Sequence, residues 1–150
     1  LYFERLLVVA KADNPWTRRK RVSLSALLDE PWILSPFEMG EDSPFIRALR
    51  AIGASPPRRC ILSNSLTLRA GLLASDRYLT LLPGSVLQLG PQWRKLVAPL
   101  PITLQNWHLP IAILTLKDRI LSPAAVSFVD EIRMVASTLQ MDAGDLKSRS

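Results

Sequence analysis

The sequence has very little cysteine, histidine and glycine, and each shortage excludes a class of protein. The 150 residues include one cysteine, one histidine and six glycines. A single cysteine, Cys60, excludes a scaffold of intramolecular disulfides and is compatible with a reducing compartment, so we expect a cytoplasmic protein. The glycines form no G-x-G-x-x-G or Walker pattern. We therefore expect no phosphate loop, no nucleotide and no other cofactor.

Long hydrophobic runs are also missing. Apolar stretches such as 109–116 are interrupted by proline or threonine and are far shorter than the roughly 20 residues that cross a bilayer, so no membrane span is expected. The first ten residues lack the basic start and cleavage site of a signal peptide. Because there is no initiator methionine, we expect a piece of a longer chain. With 48% hydrophobic and 21% charged residues, the composition is typical of one globular domain.

Residues suited to catalysis are scarce. The only histidine, His108, has no serine, cysteine or acid at a spacing typical of a nucleophile or a metal-ligand pair. Cys60 lies inside a predicted strand, where a thiol usually packs as a small hydrophobic group. We therefore expect no enzyme and no metal site.

Positive charge is in modest excess. Lysine and arginine number 19 against 13 acidic residues, for a formal net charge of +6. Four of the cations are consecutive, from Arg18 to Arg21. A solvated loop is the commoner explanation of such a run, and a phosphate-contacting patch is the alternative.

Short hydrophobic runs alternate with segments of helical period. The predicted strands are 6–10, 32–35, 59–63, 78–82, 95–98 and 110–116. The predicted helices are 23–28, 43–53, 65–74, a turn at 85–89, and 122–139. This alternation predicts an α/β fold of the Rossmann-like type, with a mostly parallel sheet flanked by helices.

Two helix starts carry a serine cap followed by proline, at Ser43 and at Ser122. In the helix that starts at Ser43, the predicted apolar stripe is Phe45, Ile46, Leu49 and Ile52. The final helix has a predicted apolar face formed by Val126, Val129, Ile132, Val135 or Ala136, and Leu139. Residues 141–150 lose this period and are predicted to form a disordered tail.

Two junctions at the carboxyl ends of predicted strands are candidate binding sites. Open α/β sheets bind ligands at these ends, where helix amino termini present free N–H groups. The first junction is Ser35, Pro36 and Phe37, and the second is Ser63, Asn64 and Ser65. Such groups suit a carboxylate or a sugar hydroxyl. Simple helix capping by Ser65 is the competing interpretation.

The order of these segments resembles the effector-binding domain of LysR-type transcriptional regulators, which has the periplasmic-binding-protein fold. The resemblance covers about residues 4 to 139. It is carried by segments 7–15, 22–34, 63–65, 79–86, 110–114 and 121–125. No single segment is diagnostic of the family, and the resemblance depends on the order of the six segments.

The resemblance implies a division of the chain. Residues 1–10 would be a remnant of the first subdomain with a hinge strand, and 11–110 the second effector-binding subdomain. Residues 111–140 would supply the other hinge strand and a helix that returns to the first subdomain. Most of the first subdomain and the DNA-binding winged helix would be absent, so half of the effector cleft would be missing. The final helix would then be covered by another surface, such as a second chain, which implies a homo-oligomer.

The resemblance also implies a function. A small-molecule effector, a sugar or a carboxylate, would bind between the subdomains and control transcription. The wall formed by this chain would include Ser35, Pro36, Phe37, Asn64, Ser65 and Leu66, and promoter DNA would be contacted only through the absent domain.

Three alternatives remain. A stand-alone solute-binding protein of the same fold would need a secretion signal and both lobes. A nucleic-acid-binding domain would use Arg18 to Arg21 and would bind with a steep salt dependence. An enzyme would depend on His108 or Cys60.

Overall fold

The computed structural model describes residues 1–75, 77–102, 107–118 and 120–145, with the side chains of the last helix described to residue 138. The chain divides into two compact units. One consists of Leu1–Glu4 with Leu109–Ser150, and the other is Arg5–His108. The larger unit contains both candidate junctions.

The strands form one mixed sheet. They are β1 (Tyr2–Lys11), β2 (Trp32–Leu34), β3 (Cys60–Leu62), β4 (Leu79–Pro83), β5 (Val97–Pro99) and β6 (His108–Ile111). The strand order is β3-β2-β4-β1-β5, and β6 also pairs with β1. β2 is parallel to β3 and β4, whereas β1 is antiparallel to β4 and β5. Strands β2 to β5 therefore run in one direction, which confirms the predicted mostly parallel α/β sheet.

Helices connect these strands. They are α1 (Pro44–Ala51), α2 (Leu66–Ser75), α3 (Gly84–Leu89), α4 (Pro91–Leu96) and α5 (Pro123–Asp145), with 3₁₀ turns at Pro15–Arg18 and Ser25–Leu27. The helix predicted at 23–28 was wrong in type, because only one 3₁₀ turn forms before Pro31 ends it. Sequence analysis missed α4, a six-residue helix that begins at a proline.

Helix α1 confirms its predicted signals. The Ser43 hydroxyl accepts a hydrogen bond from the Ile46 N–H at 3.1 Å, and Pro44 occupies the first turn. Phe45, Ile46 and Leu49 are buried, but Ile52 is 51% exposed because it lies at the helix end. Gly53 follows with φ +66°, a left-handed conformation that favours glycine.

Apolar residues fill both faces of the sheet in the larger unit. One cluster joins strands β1, β2, β4 and β5 to helices α2 and α4, and its members are Val9, Ile33, Leu73, Leu82, Trp93 and Val97. Trp32, Phe45 and Trp107 form a second, aromatic group with centroid distances of 5.2 and 5.9 Å. These contacts fix the strand ends that carry the two junctions.

The strand predicted at 110–116 is wrong beyond Ile111, where β6 ends. Leu114 and Leu116 are 92% and 68% exposed. An apolar run forms a buried strand only where a partner strand and a covering layer exist. Residues 112–116 have neither in the described part of this unit.

Helix α5 continues to Asp145, five residues into the predicted tail. Residues 146–150 lie outside the described residues, as does the side chain of Leu139. Ala136 is buried, whereas Val126 and Val135 are exposed. The less exposed stripe is therefore Ala125, Val129, Ile132 and Ala136, at the i, i+4, i+7, i+11 spacing of one helix face.

Candidate functional site

The two predicted junctions lie side by side in the structure. β2 and β3 are parallel and in register, with Leu34 opposite Leu62. The next N–H, that of Ser63, donates to Leu34 O at 2.8 Å. The segments that follow β2 and β3 therefore leave the sheet at the same edge, as the sequence predicts. We call residues Ser35–Glu38 and Ser63–Arg69 the carboxyl-edge site.

The first half of this site is a hydrogen-bonded turn. The Glu38 N–H donates to Ser35 Oγ at 3.0 Å, and the Ser35 N–H donates to Glu38 Oε2 at 2.5 Å. This reciprocal pair is a capping box formed at a turn. It buries Ser35 and leaves Pro36 exposed and Phe37 70% exposed. Of the predicted residues here, Phe37 presents the larger apolar surface to solvent.

The second half is the start of α2. Ser63 Oγ accepts from the Ser65 N–H at 3.0 Å, and Ser65 Oγ accepts from the Leu68 N–H at 3.2 Å. Ser65 is therefore a helix cap. This bond accounts for one free donor of the first turn and leaves others. Among the described residues, none accepts a hydrogen bond from the N–H groups of Leu66 and Thr67 or from the exposed Asn64 side chain.

An arginine that sequence analysis missed joins the two halves. The Arg69 guanidinium donates to both Glu38 carboxylate oxygens, at 2.8 and 3.2 Å. It also donates to Ser63 O at 3.0 and 3.2 Å. The Arg69 and Glu38 side chains are only 5% and 14% exposed. A two-point ion pair of this kind sets the geometry of the groups that carry it.

The same network reaches the third parallel strand. Arg69 Nη1 lies 3.2 Å from Thr80 Oγ1 and 3.1 Å from Leu81 O. The buried Thr80 hydroxyl donates in turn to Ile33 O at 2.6 Å. Every guanidinium N–H thus has an acceptor within the protein. The network holds β2, β3 and β4 together without leaving a free positive charge for a ligand.

Helix α2 buries an arginine and leaves leucines exposed. Its buried residues are Arg69 and Leu73, whereas Leu66 and Leu68 are exposed. A buried arginine needs a partner, and the partner lies outside its own helix. The S-x-x-E spacing from Ser35 to Glu38 is a sequence signal for the turn itself. It does not indicate that Glu38 pairs with an arginine 31 residues away.

The side chains weighed for catalysis lie elsewhere. Cys60 begins β3, and partial burial raises the pKa of its thiol. A thiol with a raised pKa is a poor nucleophile at neutral pH. His108 is exposed at the start of β6. Among the described residues, no group of three or more histidines, cysteines or acids could hold a metal ion.

A small concavity of about 30 Å³ lies away from the carboxyl-edge site. Its lining residues are Arg5, Leu6, Leu7, Val8, Leu100, Ile102, Trp107 and His108. Ligand sites usually measure several hundred Å³, whereas this volume fits about one water molecule. The buried Trp107 Nε1 has no hydrogen-bond partner among the described residues. This concavity is too small to be the effector site.

In the part of the chain that the structure describes, none of the helices combines the length and apolar character needed to span a membrane.

Comparisons with solved structures find the same fold. The regulatory domain of CcmR from Synechocystis PCC6803, in complex with 2-PG, has a TM-score of 0.63 and 18% identity, and the match covers 89% of this chain and 63% of that one. The effector-binding domain of QuiR in complex with shikimate has a TM-score of 0.65 and 23% identity, with 87% and 60% covered. A putative LysR family transcriptional regulator from Pseudomonas aeruginosa has a TM-score of 0.67 and 19% identity, with 91% and 46% covered.

The chain thus spans about half to two thirds of these solved chains. No curated protein matches it. The family model described as the LysR substrate binding domain matches residues 1–137. This match and the shared fold confirm the resemblance seen in the sequence, and the chain belongs to the LysR substrate-binding domain family.

Proposed function

We propose that this chain is the effector-sensing part of a LysR-type transcriptional regulator, and that the carboxyl-edge site forms one wall of its effector cleft. Family membership supports a regulator over a stand-alone solute-binding protein. The observation that carries the proposal is the parallel register that brings the Ser35–Glu38 turn beside the Ser63–Leu66 segment. Ligands of open α/β sheets bind at such strand ends.

The effector we propose is a small carboxylate. The N–H groups of Leu66 and Thr67 have no acceptor among the described residues, and the positive end of the α2 dipole lies behind them. The Asn64 side-chain amide, two residues before Leu66 in the chain and exposed, offers a further donor. A carboxylate accepts from such donors, and the half-buried Ser63 hydroxyl provides a position for a ligand hydroxyl group.

The subdomain division is part of the same proposal. Residues 11–110 would form the second effector subdomain, with 1–10 and 111–140 as the connections to a first subdomain. Along the chain, the larger compact unit begins at Arg5 and ends at His108, so that it contains all but the last two of residues 11–110. Promoter contact through a winged helix and residence in the cytoplasm belong to this proposal as well.

Assembly into a homo-oligomer completes the proposal. Large apolar side chains such as Phe3, Ile120 and Phe128 are exposed, and apolar surface of this kind is typically covered in an assembly. Light scattering should show more than one copy per particle. A monomer that binds no hydrophobic dye would contradict this part.

The binding test uses titration calorimetry with a panel of small carboxylates, shikimate among them, and with their methyl esters and neutral sugars. At least one carboxylate should bind, and its ester should bind at least tenfold more weakly, because charge-assisted hydrogen bonds are roughly twice as strong as neutral ones. Binding of neutral sugars alone would favour the sugar alternative and contradict the carboxylate assignment.

A matched pair of variants locates the site. Asn64→Ala should weaken the bound carboxylate by about 1 kcal/mol, roughly fivefold, because one hydrogen bond is removed. Gln92→Ala removes an exposed amide from α4 and should leave the affinity unchanged. Equal affinities in the two variants would place the ligand elsewhere. We also propose that the chain has no catalytic activity. Replacing His108 and Cys60, the two residues weighed for catalysis, should leave ligand binding intact.

A further inference from the structure

The net positive charge of the chain is concentrated in one short segment. Residues 11–21 contain five cations and one acid, whereas the other 139 residues contain 14 cations and 12 acids. This segment therefore contributes +4 of the net +6. The carboxyl-edge site, whose arginine is paired with a glutamate, contributes none of this excess.

The segment begins and ends beside the edge strand β5. The Ala12 N–H donates to Leu96 O at 3.0 Å, and the Val22 N–H donates to Pro101 O at 3.1 Å. β5 lies between these two acceptors in the chain and at one end of the sheet order. Leu96 is also the last residue of α4, whose final turn carries the exposed cations Arg94 and Lys95. The two groups of cations therefore belong to the same edge of the sheet.

Local hydrogen bonds give the segment a defined conformation. Asn14 Oδ1 accepts from the Trp16 N–H at 3.0 Å, and Thr17 Oγ1 donates to Asn14 O at 2.7 Å. The Trp16 indole N–H donates to Glu30 Oε1 at 2.9 Å. The Arg19 guanidinium lies 5.6 Å from the centroid of the Trp16 ring, which is within cation-π range. These bonds order the segment without neutralising its cations.

The four consecutive cations have no acidic partner in the described structure. Arg18 to Arg21 are all exposed, and no carboxylate of a described residue lies within 4.0 Å of them. The acid of the segment, Asp13, pairs instead with Lys11 at 3.5 Å. Neighbouring like charges repel each other. A polyanion that neutralises several of them at once therefore binds such a surface favourably.

We propose that Arg18–Arg21 together with Arg94 and Lys95, the basic edge, binds the phosphate backbone of double-stranded DNA. Duplex DNA presents one negative charge per about 1.7 Å of its axis, which suits a row of consecutive cations. Arginine binds phosphate through two parallel N–H donors, and three of the four consecutive cations are arginine. Phosphate binding of this type is independent of base sequence. This activity goes beyond effector sensing and does not depend on the carboxyl-edge site.

The test is fluorescence anisotropy of the 150-residue chain with a labelled duplex of arbitrary sequence, across salt concentrations from about 20 to 200 mM. The variant is R18Q/R19Q/K20Q/R21Q. Its affinity at low salt should fall at least tenfold, and the slope of log affinity against log salt should decrease by about 0.9 for each phosphate that the variant no longer neutralises. An unchanged affinity and slope in this variant would overturn the proposal.

A matched control separates the basic edge from net charge alone. The variant R47Q/R50Q/R58Q/K117Q removes the same number of exposed cations from other surfaces, and its affinity should stay within about twofold of the parent chain. An equal loss of affinity in both variants would overturn the assignment to the basic edge. Circular dichroism should show both variants folded.

A competition experiment tests the class of partner. Unlabelled duplex should displace the probe far better than polyglutamate at equal charge, because phosphates are closely spaced on a rigid rod. Displacement by polyglutamate at the same charge concentration would indicate an acidic protein partner and overturn the assignment to DNA. The basic-edge variant should bind the carboxylate ligand with the affinity of the parent chain, which keeps this test separate from the test of effector binding.

Discussion

Charged side chains lie in opposite environments at the two edge strands of the order β3-β2-β4-β1-β5. At the β3 end, Arg69 is buried and bonded to Glu38, so the carboxyl-edge site is neutral apart from the α2 dipole. At the β5 end, Arg18 to Arg21 are exposed and have no carboxylate of a described residue within 4.0 Å. A neutral site with directed donors suits one small ligand, and a row of unpaired cations suits a polyanion.

The difference also separates stability from binding. A buried ion pair makes its two partners depend on each other, because removal of one leaves an uncompensated charge in a poorly solvated place. Exposed cations are solvated and contribute little to folding. We therefore expect mutations at the β3 end to affect folding and mutations at the β5 end to affect binding.

Glu38→Ala should have the largest effect on stability. It leaves the buried Arg69 with backbone and hydroxyl acceptors only, and we expect the free energy of unfolding to fall by about 3 kcal/mol or more. Urea denaturation followed by tryptophan fluorescence measures this change. Glu41→Ala, three residues along the chain and exposed, should change stability by less than about 0.5 kcal/mol. Similar effects of the two variants would show that the buried Glu38–Arg69 pair is not a major source of stability.

Thr80→Val should have the second largest effect on stability. It removes the hydroxyl that donates to Ile33 O and accepts from Arg69, at nearly constant side-chain volume. Because Ile33 O loses its hydroxyl donor in the sheet, we expect stability to fall by about 1 to 2 kcal/mol in the same denaturation experiment. Thr67→Val makes the same chemical change at an exposed position of α2. If Thr67→Val were the more damaging variant, the network at the strand ends would not be the stabilising feature.

At the basic edge the same assay should give almost no change. Glutamine at positions 18 to 21 removes four exposed cations that have no described ion pair. We expect stability within about 0.5 kcal/mol of the parent chain, because solvated charges add little to folding. A decrease comparable to that of Glu38→Ala would show that these cations have a structural role.

The smallest effect concerns Cys60, whose thiol has a pKa raised by burial above its ordinary value of 9.0. The folded state favours the protonated thiol. The contribution of this thiol to the free energy of unfolding is therefore complete below pH 9.0 and is lost as the pH rises through the pKa of the folded state. Cys60→Ala should flatten the fall in stability above that pH. A steeper fall in this variant would contradict the assigned direction.

The sequence predicted the elements that depend on local signals. The Ser43-Pro44 start of α1, the strand that begins at Trp32 and the Ser65 cap follow from capping and apolar runs within a few residues. The order of these elements was sufficient to identify the family. Both candidate junctions were predicted in the same way, because the chain must leave a parallel sheet at its carboxyl edge.

The sequence could not predict what depends on distant partners. The pair of Glu38 with Arg69 joins residues 31 positions apart, and each appears in the sequence as an ordinary solvated charge. Burial of Arg69 depends on acceptors that lie outside its own helix, such as Leu81 O and Ser63 O. The run 112–116 lacks a partner strand among the described residues, which local apolarity does not reveal.

The central claim is that a small carboxylate binds at the start of α2. Its most direct test is an amide nuclear magnetic resonance titration of the chain with the tightest carboxylate of the panel. The account predicts that the N–H signals of Leu66 and Thr67 and the side-chain amide of Asn64 shift most, with those of Arg18 to Arg21 unchanged. Largest shifts at Trp107 and His108, or none between residues 63 and 67, would contradict it.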